Sequence, residues 1–238
     1  APSSVSALAD ELKGWEDIDS VHSHDIPIIR KYIIEKGIVT FSKHIAKADT
    51  LKARDGMVEA RLIEISLGEG DLIDDIDIMA FDIETYNRGF MPVADEDPKI
   101  MIALYSKKMS RVITWKRFAT ERKDVEFVKD EPSMIRRFAE LVKESRPDIL
   151  TGYNSDGFDF PYIRDRARKH RIRVDVGLDG SEVSFGRGNN PSATVTGIIH
   201  IDLFQFVRRM MRDTLKTDSL KLDSVAEEVI GERKLVVD

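Results

Sequence analysis

The sequence predicts an α/β fold, a mixed sheet flanked by helices with a β-hairpin insertion, preceded by a small N-terminal segment. Two observations carry this. Three strand-like stretches follow one another between Ile76 and Trp115, and helical and strand patterns alternate after them. Successive strands followed by helix–strand alternation require a sheet of mixed direction with helices packed on it.

The elements read in order as follows. Residues 3–13 (SSVSALADELK) form a short helix capped by Ser3 or Ser4, and residues 26–33 (IPIIRKYI) a second, with Pro27 in its first turn. Residues 57–67 (MVEARLIEISL) partly alternate polar and apolar, as a half-buried strand does. The acidic, glycine-containing run GEGDLIDDID at 68–77 reads as a linker, with a domain boundary near residue 72: 1–72 and 73–238.

Beyond the boundary, Ile76 to Phe81 leads into Asp82-Ile83-Glu84-Thr85. Residues 99–105 (KIMIALY) and 111–115 (RVITW) are two further strands separated by a short turn. Met134, Ile135, Phe138, Leu141 and Val142 keep helical spacing up to Pro147. Residues 149–153 make a fourth strand, and Phe160, Ile163 and Ala167 mark a helix with Pro161 in its first turn. Residues 181–186 and 194–203 read as a β-hairpin around GNNPS. Helical patterns near 204–211 and 220–230 follow, the last with Gly231 as C-cap.

Composition bounds the chemistry. With 42% hydrophobic and 34% charged residues, the 238-residue chain can bury a sizeable core. No cysteine is present, which excludes disulfides, zinc–thiolate sites and thiol catalysis. No apolar run approaches a bilayer span, and no membrane partner is expected. A net charge of −6 argues against coating duplex DNA by bulk electrostatics, but not against carboxylates clustered to hold metal ions. No P-loop, serine triad or glycine-rich phosphate loop occurs.

Asp82 and Glu84 are the first candidates. Positions i and i+2 of a strand share a face, so both carboxylates project together while Phe81 and Ile83 pack behind. With 43 acidic residues, about eight acidic-x-acidic pairs arise by chance, most of them solvated surface. The setting of this pair, at the end of IDIMAF, is what separates it from them. The second element is YNSDGFDFP, residues 153–161, where Asp159 stands at a helix start. It is either an N-cap or a third carboxylate brought to the first two.

FDIET (81–85) and YNSDGFDFPYI (153–163) resemble the first two exonuclease motifs of family B DNA polymerases of the archaeal type. DIPIIRKYIIEKG, VITWK, PDILTGYN, the DGSE hairpin start and IIHIDLFQFVRR are similar to family segments in the same order, with the weakest similarity at 38–70. The resemblance implies an RNase H-like fold, residues 1–72 as the end of the polymerase N-terminal domain, and residues 73–238 as a 3′–5′ exonuclease domain. It implies two divalent metal ions, Mg²⁺ or Mn²⁺, held by Asp82, Glu84 and Asp159, and substrate contacts from Asn154, Phe158 and Thr85, with Phe90 a further stacking candidate. The family's fourth carboxylate lies in a Tyr-x-x-x-Asp motif that this sequence does not contain, so weak activity or none is expected of the isolated segment. The chain reads as an excised segment without polymerase motifs, and uracil sensing is not expected of it. The implied partners are a single-stranded DNA 3′ end or primer–template DNA, the remainder of the polymerase chain, and a sliding clamp as a further candidate; the implied location is intracellular, cytoplasmic and nucleoid-associated.

Two rival functions are set against this one. The first is a non-catalytic domain that binds DNA ends or braces a polymerase; the second is a free-standing exonuclease. Retention of all three carboxylates favours the enzyme. Asn154 could equally stabilise its turn, and Phe158 could equally be core. The basic stretch 164–173 reads as the solvated face of a helix, Asp202 as structural, and His200 as a partly buried strand residue.

Overall fold

The computed structural model describes residues 2–54, 57–72, 75–86, 92–186 and 192–233. Phe90 and most of the GNNPS loop lie outside them. The chain divides into two units, Ala1–Asp74 and Asp75–Asp238.

The first unit holds helices α1 (Pro2–Leu12) and α2 (Ile28–Glu35) and an antiparallel hairpin of β1 (Ser42–Arg54) and β2 (Met57–Leu72). Where the sequence suggests a linker from residue 68, β2 instead continues to Leu72, which pairs with Ser42. Strand β1 has no counterpart in the sequence pattern. Apart from the half-buried Ser42 and His44, residues 42–53 are exposed on both faces, so no buried stripe imposes a period of two. Ile45, Leu51, Leu62 and Leu67 stand exposed along this hairpin.

The second unit is built on a six-stranded sheet: β3 (Ile78–Thr85), β4 (Lys99–Tyr105), β5 (Ser110–Thr114), β6 (Val125–Phe127), β7 (Ile149–Gly152) and β10 (Ile199–Asp202), in the order β10-β7-β3-β4-β5-β6. β3 runs antiparallel to β4 and β4 to β5, while β3–β7, β7–β10 and β5–β6 are parallel. This is the mixed sheet flanked by helices that the pattern requires. β6, with three half-buried residues, is too short to leave a sequence signature.

Helix α3 (Glu131–Ser145) starts at Asp130, whose carboxylate accepts from the Ser133 N–H at 2.9 Å, and ends at Arg146 in the left-handed conformation just before Pro147. Its stripe of Met134, Phe138 and Val142, with Phe160, Ile163 and Ala167 of α4 (Phe160–Lys169), buries against Met79, Phe81 and Ile83 of β3. Phe81 is the centre of this packing, its ring 5.4 Å from that of Phe138 and 4.8 Å from that of Phe160. A rigid platform therefore lies directly behind the strand that carries Asp82 and Glu84.

Among the described residues the hairpin between α4 and β10 is shorter than the sequence suggests, with only β8 (Ser184–Phe185) and β9 (Ala193–Thr194) pairing as strands. Its expected second arm leaves after a Val195–Ile198 bridge and joins the main sheet as β10. Helix α5 (Leu203–Phe206), a π-helical turn (Val207–Met211) and α6 (Leu222–Ile230) complete the unit, and Gly231 caps α6 at a φ of 73°.

Candidate active site

β3 is the middle of the sheet, between β7 and β4, and its burial alternates: Met79, Phe81 and Ile83 inward, Asp82 and Glu84 exposed on the opposite face. Opposite Asp82 on β4 is Ala103, and opposite Glu84 is Met101. The small alanine leaves room beside the Asp82 carboxylate, which lines an open cleft of about 390 Å³ with Arg111 and Arg122 also in its wall. Thr85 pairs with Lys99 past an irregularity in the ladder.

Asp159 arrives from the other neighbour. β7 ends at Gly152, and a π-helical turn over Ser155–Asp159 runs straight into α4. The turn is held from below by Asp202, which accepts from the Asn154 N–H at 2.9 Å and the Asp156 N–H at 3.0 Å while also capping α5. Ser155 is wholly buried and bonded to His200 at 2.9 Å, and Asp156 accepts from the Ala193 N–H at 2.6 Å. Asp202 and His200 are thus structural, as read from the sequence. Gly152 is obligatory for closeness: a Cβ there would lie 2.9 Å from the Ser155 Cβ and 3.1 Å from the Phe81 carbonyl oxygen.

This geometry removes the capping alternative for Asp159. A capping residue has extended backbone and a side chain bonded to an N–H two or three residues on. Asp159 is itself helical, at φ −61° and ψ −53°, and makes no side-chain cap. It is 2% exposed, and its Oδ2 is buried with no hydrogen-bond partner among the described residues. Burial first, then the negative charges of Asp82 and Asp202, push its carboxyl up to about 8. A buried carboxylate oxygen without a donor is costly, and the two neighbouring negative charges outweigh the Lys99 ammonium, which pulls the other way.

A second charged cluster, which the sequence does not announce, lies beside this one. Glu131, 5% exposed, accepts from the Lys99 backbone N–H at 2.9 Å, from Arg166 Nε at 2.8 Å and through a further short bond to Nη2, and lies 2.8 Å from His170 Nε2. Burial would raise its pKa, yet the bonds from Arg166 and His170 hold it below the ordinary range. Lys99 is fully buried, and burial brings its ammonium down to about 7 despite Glu131 nearby. Reading 164–173 as a solvated basic face is therefore wrong for Arg166, which is 4% exposed. The available signal is its spacing: it falls between Ile163 and Ala167 on the apolar side of the helix.

Asn154 adopts the left-handed conformation at a φ of 68°, which asparagine tolerates better than most residues. Phe158 packs at the edge of the core with its ring 5.3 Å from that of Tyr162. Among the described residues, no three acidic or histidine side chains are gathered to hold a metal ion. Asp82 and Asp159 interact electrostatically, while Glu84 shares only the face of Asp82.

The family model for the DNA polymerase family B exonuclease domain matches residues 20–225. The DNA polymerase of Thermococcus gorgonarius is 32% identical over 98% of this chain and 26% of its own length. That of Thermococcus kodakarensis is 34% identical over 98% of the chain and 12% of its own. The solved structure of the family B DNA polymerase from the hyperthermophilic archaeon Pyrobaculum calidifontis is similar with a TM-score of 0.67 at 28% identity, over 95% of this chain and 28% of that one. The chain thus spans about a quarter or less of the length of these relatives. No helix among the described residues is long and apolar enough to cross a membrane.

Proposed function

The chain belongs to the exonuclease-domain family of the family B DNA polymerases, and from that membership we propose that it hydrolyses the 3′-terminal phosphodiester of DNA in proofreading. The observation that carries the reading is the orphaned, buried carboxylate oxygen of Asp159, set beside the charge of Asp82. The orphaned Asp159 oxygen, buried beside a second carboxylate, is a hard donor of the kind that Mg²⁺ or Mn²⁺ takes, so the residues present fit divalent metal binding. Asp82, Glu84 and Asp159 would hold two such ions, which supply an acidified water and neutralise charge on the departing 3′ oxygen.

The chain's own residues account for the rest. Asp82 and Glu84 stand on a central strand backed by Phe81, so their positions are fixed by packing rather than by a loop. The Asp159 carboxyl gives up its proton when a cation arrives, which couples metal affinity to pH. Asn154 and Thr85 would contact the terminal nucleotide, and Phe158, at the core's edge, would meet its base. In the reaction the water oxygen bonds to phosphorus as the P–O3′ bond breaks. The departing oxygen takes up a proton, and a nucleoside 5′-monophosphate leaves. The partners in this reading are a single-stranded 3′ end delivered from primer–template DNA, the rest of a polymerase chain and, as a further candidate, a sliding clamp.

The test is a single-turnover assay with the protein in excess over a single-stranded oligonucleotide labelled at its 5′ end, in Mg²⁺ and then Mn²⁺. The reading expects a ladder of progressively shortened labelled products that disappears in Asp82→Ala and Asp159→Ala. Absence of shortening, or shortening unaffected by both substitutions, would overturn it.

A further inference from the structure

Away from the carboxylates, the C-terminal end of α4, the segment after it and the β8 edge enclose a groove of about 610 Å³. Four arginines line it, Arg164, Arg168, Arg171 and Arg173, against a single carboxylate, Glu182. That concentration stands out on a chain whose net charge is −6. Glu182 is engaged with the Val174 N–H at 3.3 Å. Asp165 sits 2.8 Å from Arg164 and 3.7 Å from Arg168, but Arg171 has no partner for its guanidinium among the described residues.

Two details go beyond a charged helix end. Cations near a helix C-terminus are favoured by its dipole, which accounts for Arg168. Arg171, however, follows the helix in the left-handed conformation at a φ of 54°, where glycine is the ordinary residue. The closing bonds run from Arg171 N–H to Arg168 O and from Ile172 N–H to Ala167 O, both at 3.0 Å. Arginine there costs roughly 1 kcal/mol of backbone strain and sets an unpaired cation in the groove wall. The second detail is Phe185, half-buried, with the Arg164 guanidinium carbon 4.7 Å from its ring centroid. A planar cation over an aromatic ring, beside the unpaired Arg171, combines phosphate neutralisation with a stacking platform.

We propose that this groove is a second DNA-binding surface that takes the phosphodiester backbone of a single strand, with Phe185 and Arg164 receiving an unstacked base. Duplex DNA has no free base face to offer the ring, so the occupant is single-stranded. The choice of DNA rests on the function proposed above; the anion-binding character of the groove rests on its own residues. Arg171 and Arg173 carry most of the backbone contact, because Arg164 and Arg168 share Asp165 whereas Arg173, among the described residues, has no carboxylate partner and donates only to the Gly180 carbonyl at 3.4 Å.

The experiment is fluorescence anisotropy of a labelled oligothymidylate with the 238-residue chain in EDTA, so that neither metal binding nor cleavage contributes. It compares wild type, Arg171→Glu/Arg173→Glu, Phe185→Ala, and a charge-matched control, Lys107→Glu/Lys129→Glu, on exposed lysines elsewhere, with circular dichroism to verify folding. The expectation is at least a tenfold loss of affinity in the double arginine variant. Its dependence of log K on log salt should be shallower by about 1.4, the value for two lost single-strand phosphate contacts. Phe185→Ala should lose several-fold, and the control should stay within twofold. Wild-type affinity in the folded arginine variant, or an equal loss in the lysine control, overturns the proposal. Loss confined to the arginine and phenylalanine variants upholds it even if the cleavage ladder above is absent, which would sink the nuclease reading alone.

Discussion

Glu131 is the residue whose alteration should cost most for the smallest change in shape. Its carboxylate is 5% exposed and takes bonds from Arg166, from the Lys99 backbone and from His170. Glu131→Gln keeps the volume but removes the carboxylate bonded to the Arg166 guanidinium, which is 4% exposed, and turns an amide N–H₂ towards other donors. Breaking a buried ion pair from one side costs about 3–5 kcal/mol. For a chain of this size that is a melting temperature lower by roughly 6–20 °C. The assay is urea and thermal unfolding followed by circular dichroism at pH 7. A pH series adds a sign. The folded pKa of Glu131 lies below its unfolded value of 4.5, so its stabilisation is fully present above that value and is lost as pH falls through the folded pKa. The gap between wild type and the Glu131→Gln variant should therefore narrow below pH 4.5. A loss under about 1 kcal/mol at neutral pH, or a gap that does not narrow in acid, would refute the reasoning.

Other perturbations follow from the same accounting of buried charge and space. Lys99→Met should stabilise the fold by about 1–4 kcal/mol near pH 6, since it removes a buried ammonium. Its folded pKa of about 7 lies below the unfolded 10.5, so the unfolded chain binds the extra proton between them and the advantage should shrink as pH rises through that window. Urea titrations at pH 6 and pH 9 check both statements. Asp159→Asn in a chelator should stabilise the protein by on the order of 4 kcal/mol at pH 8 and much less at pH 4. The raised carboxyl pKa, about 8 against 3.8, makes the ionised form increasingly unfavourable across that range. Equal stability of the Asp159→Asn variant and wild type at pH 8 would contradict it. Gly152→Ala should cost about 1–3 kcal/mol by overpacking, because the Phe81 carbonyl at 3.1 Å cannot move without disturbing β3; thermal melting reads it.

Strand β3 and the sheet around it are legible because burial writes its period into the sequence. Met79, Phe81 and Ile83 alternate with Asp82 and Glu84, and Met134, Phe138 and Val142 mark one side of α3. What cannot be read depends on partners distant in sequence. The carboxylates of Glu131 and Asp202 act on residues 32 and 48 positions away, respectively, in Lys99 and Asn154, and no local pattern announces either. The π-helical turn that removes Asp159 from a capping role likewise depends on Asp202 and on the tight approach of Gly152 to Ser155. In the N-terminal unit, β1 is invisible because exposure on both faces leaves composition free to vary.

The proposed function requires Asp82 and Asp159 to belong to one cation site. Calorimetric titration of Mn²⁺ into the wild-type chain, Asp82→Ala and Asp159→Ala tests it most directly. The account predicts binding to wild type that releases protons near pH 7, because the Asp159 carboxyl is pushed up to about 8, and that weakens at least tenfold in each variant. Binding that neither substitution changes would contradict it.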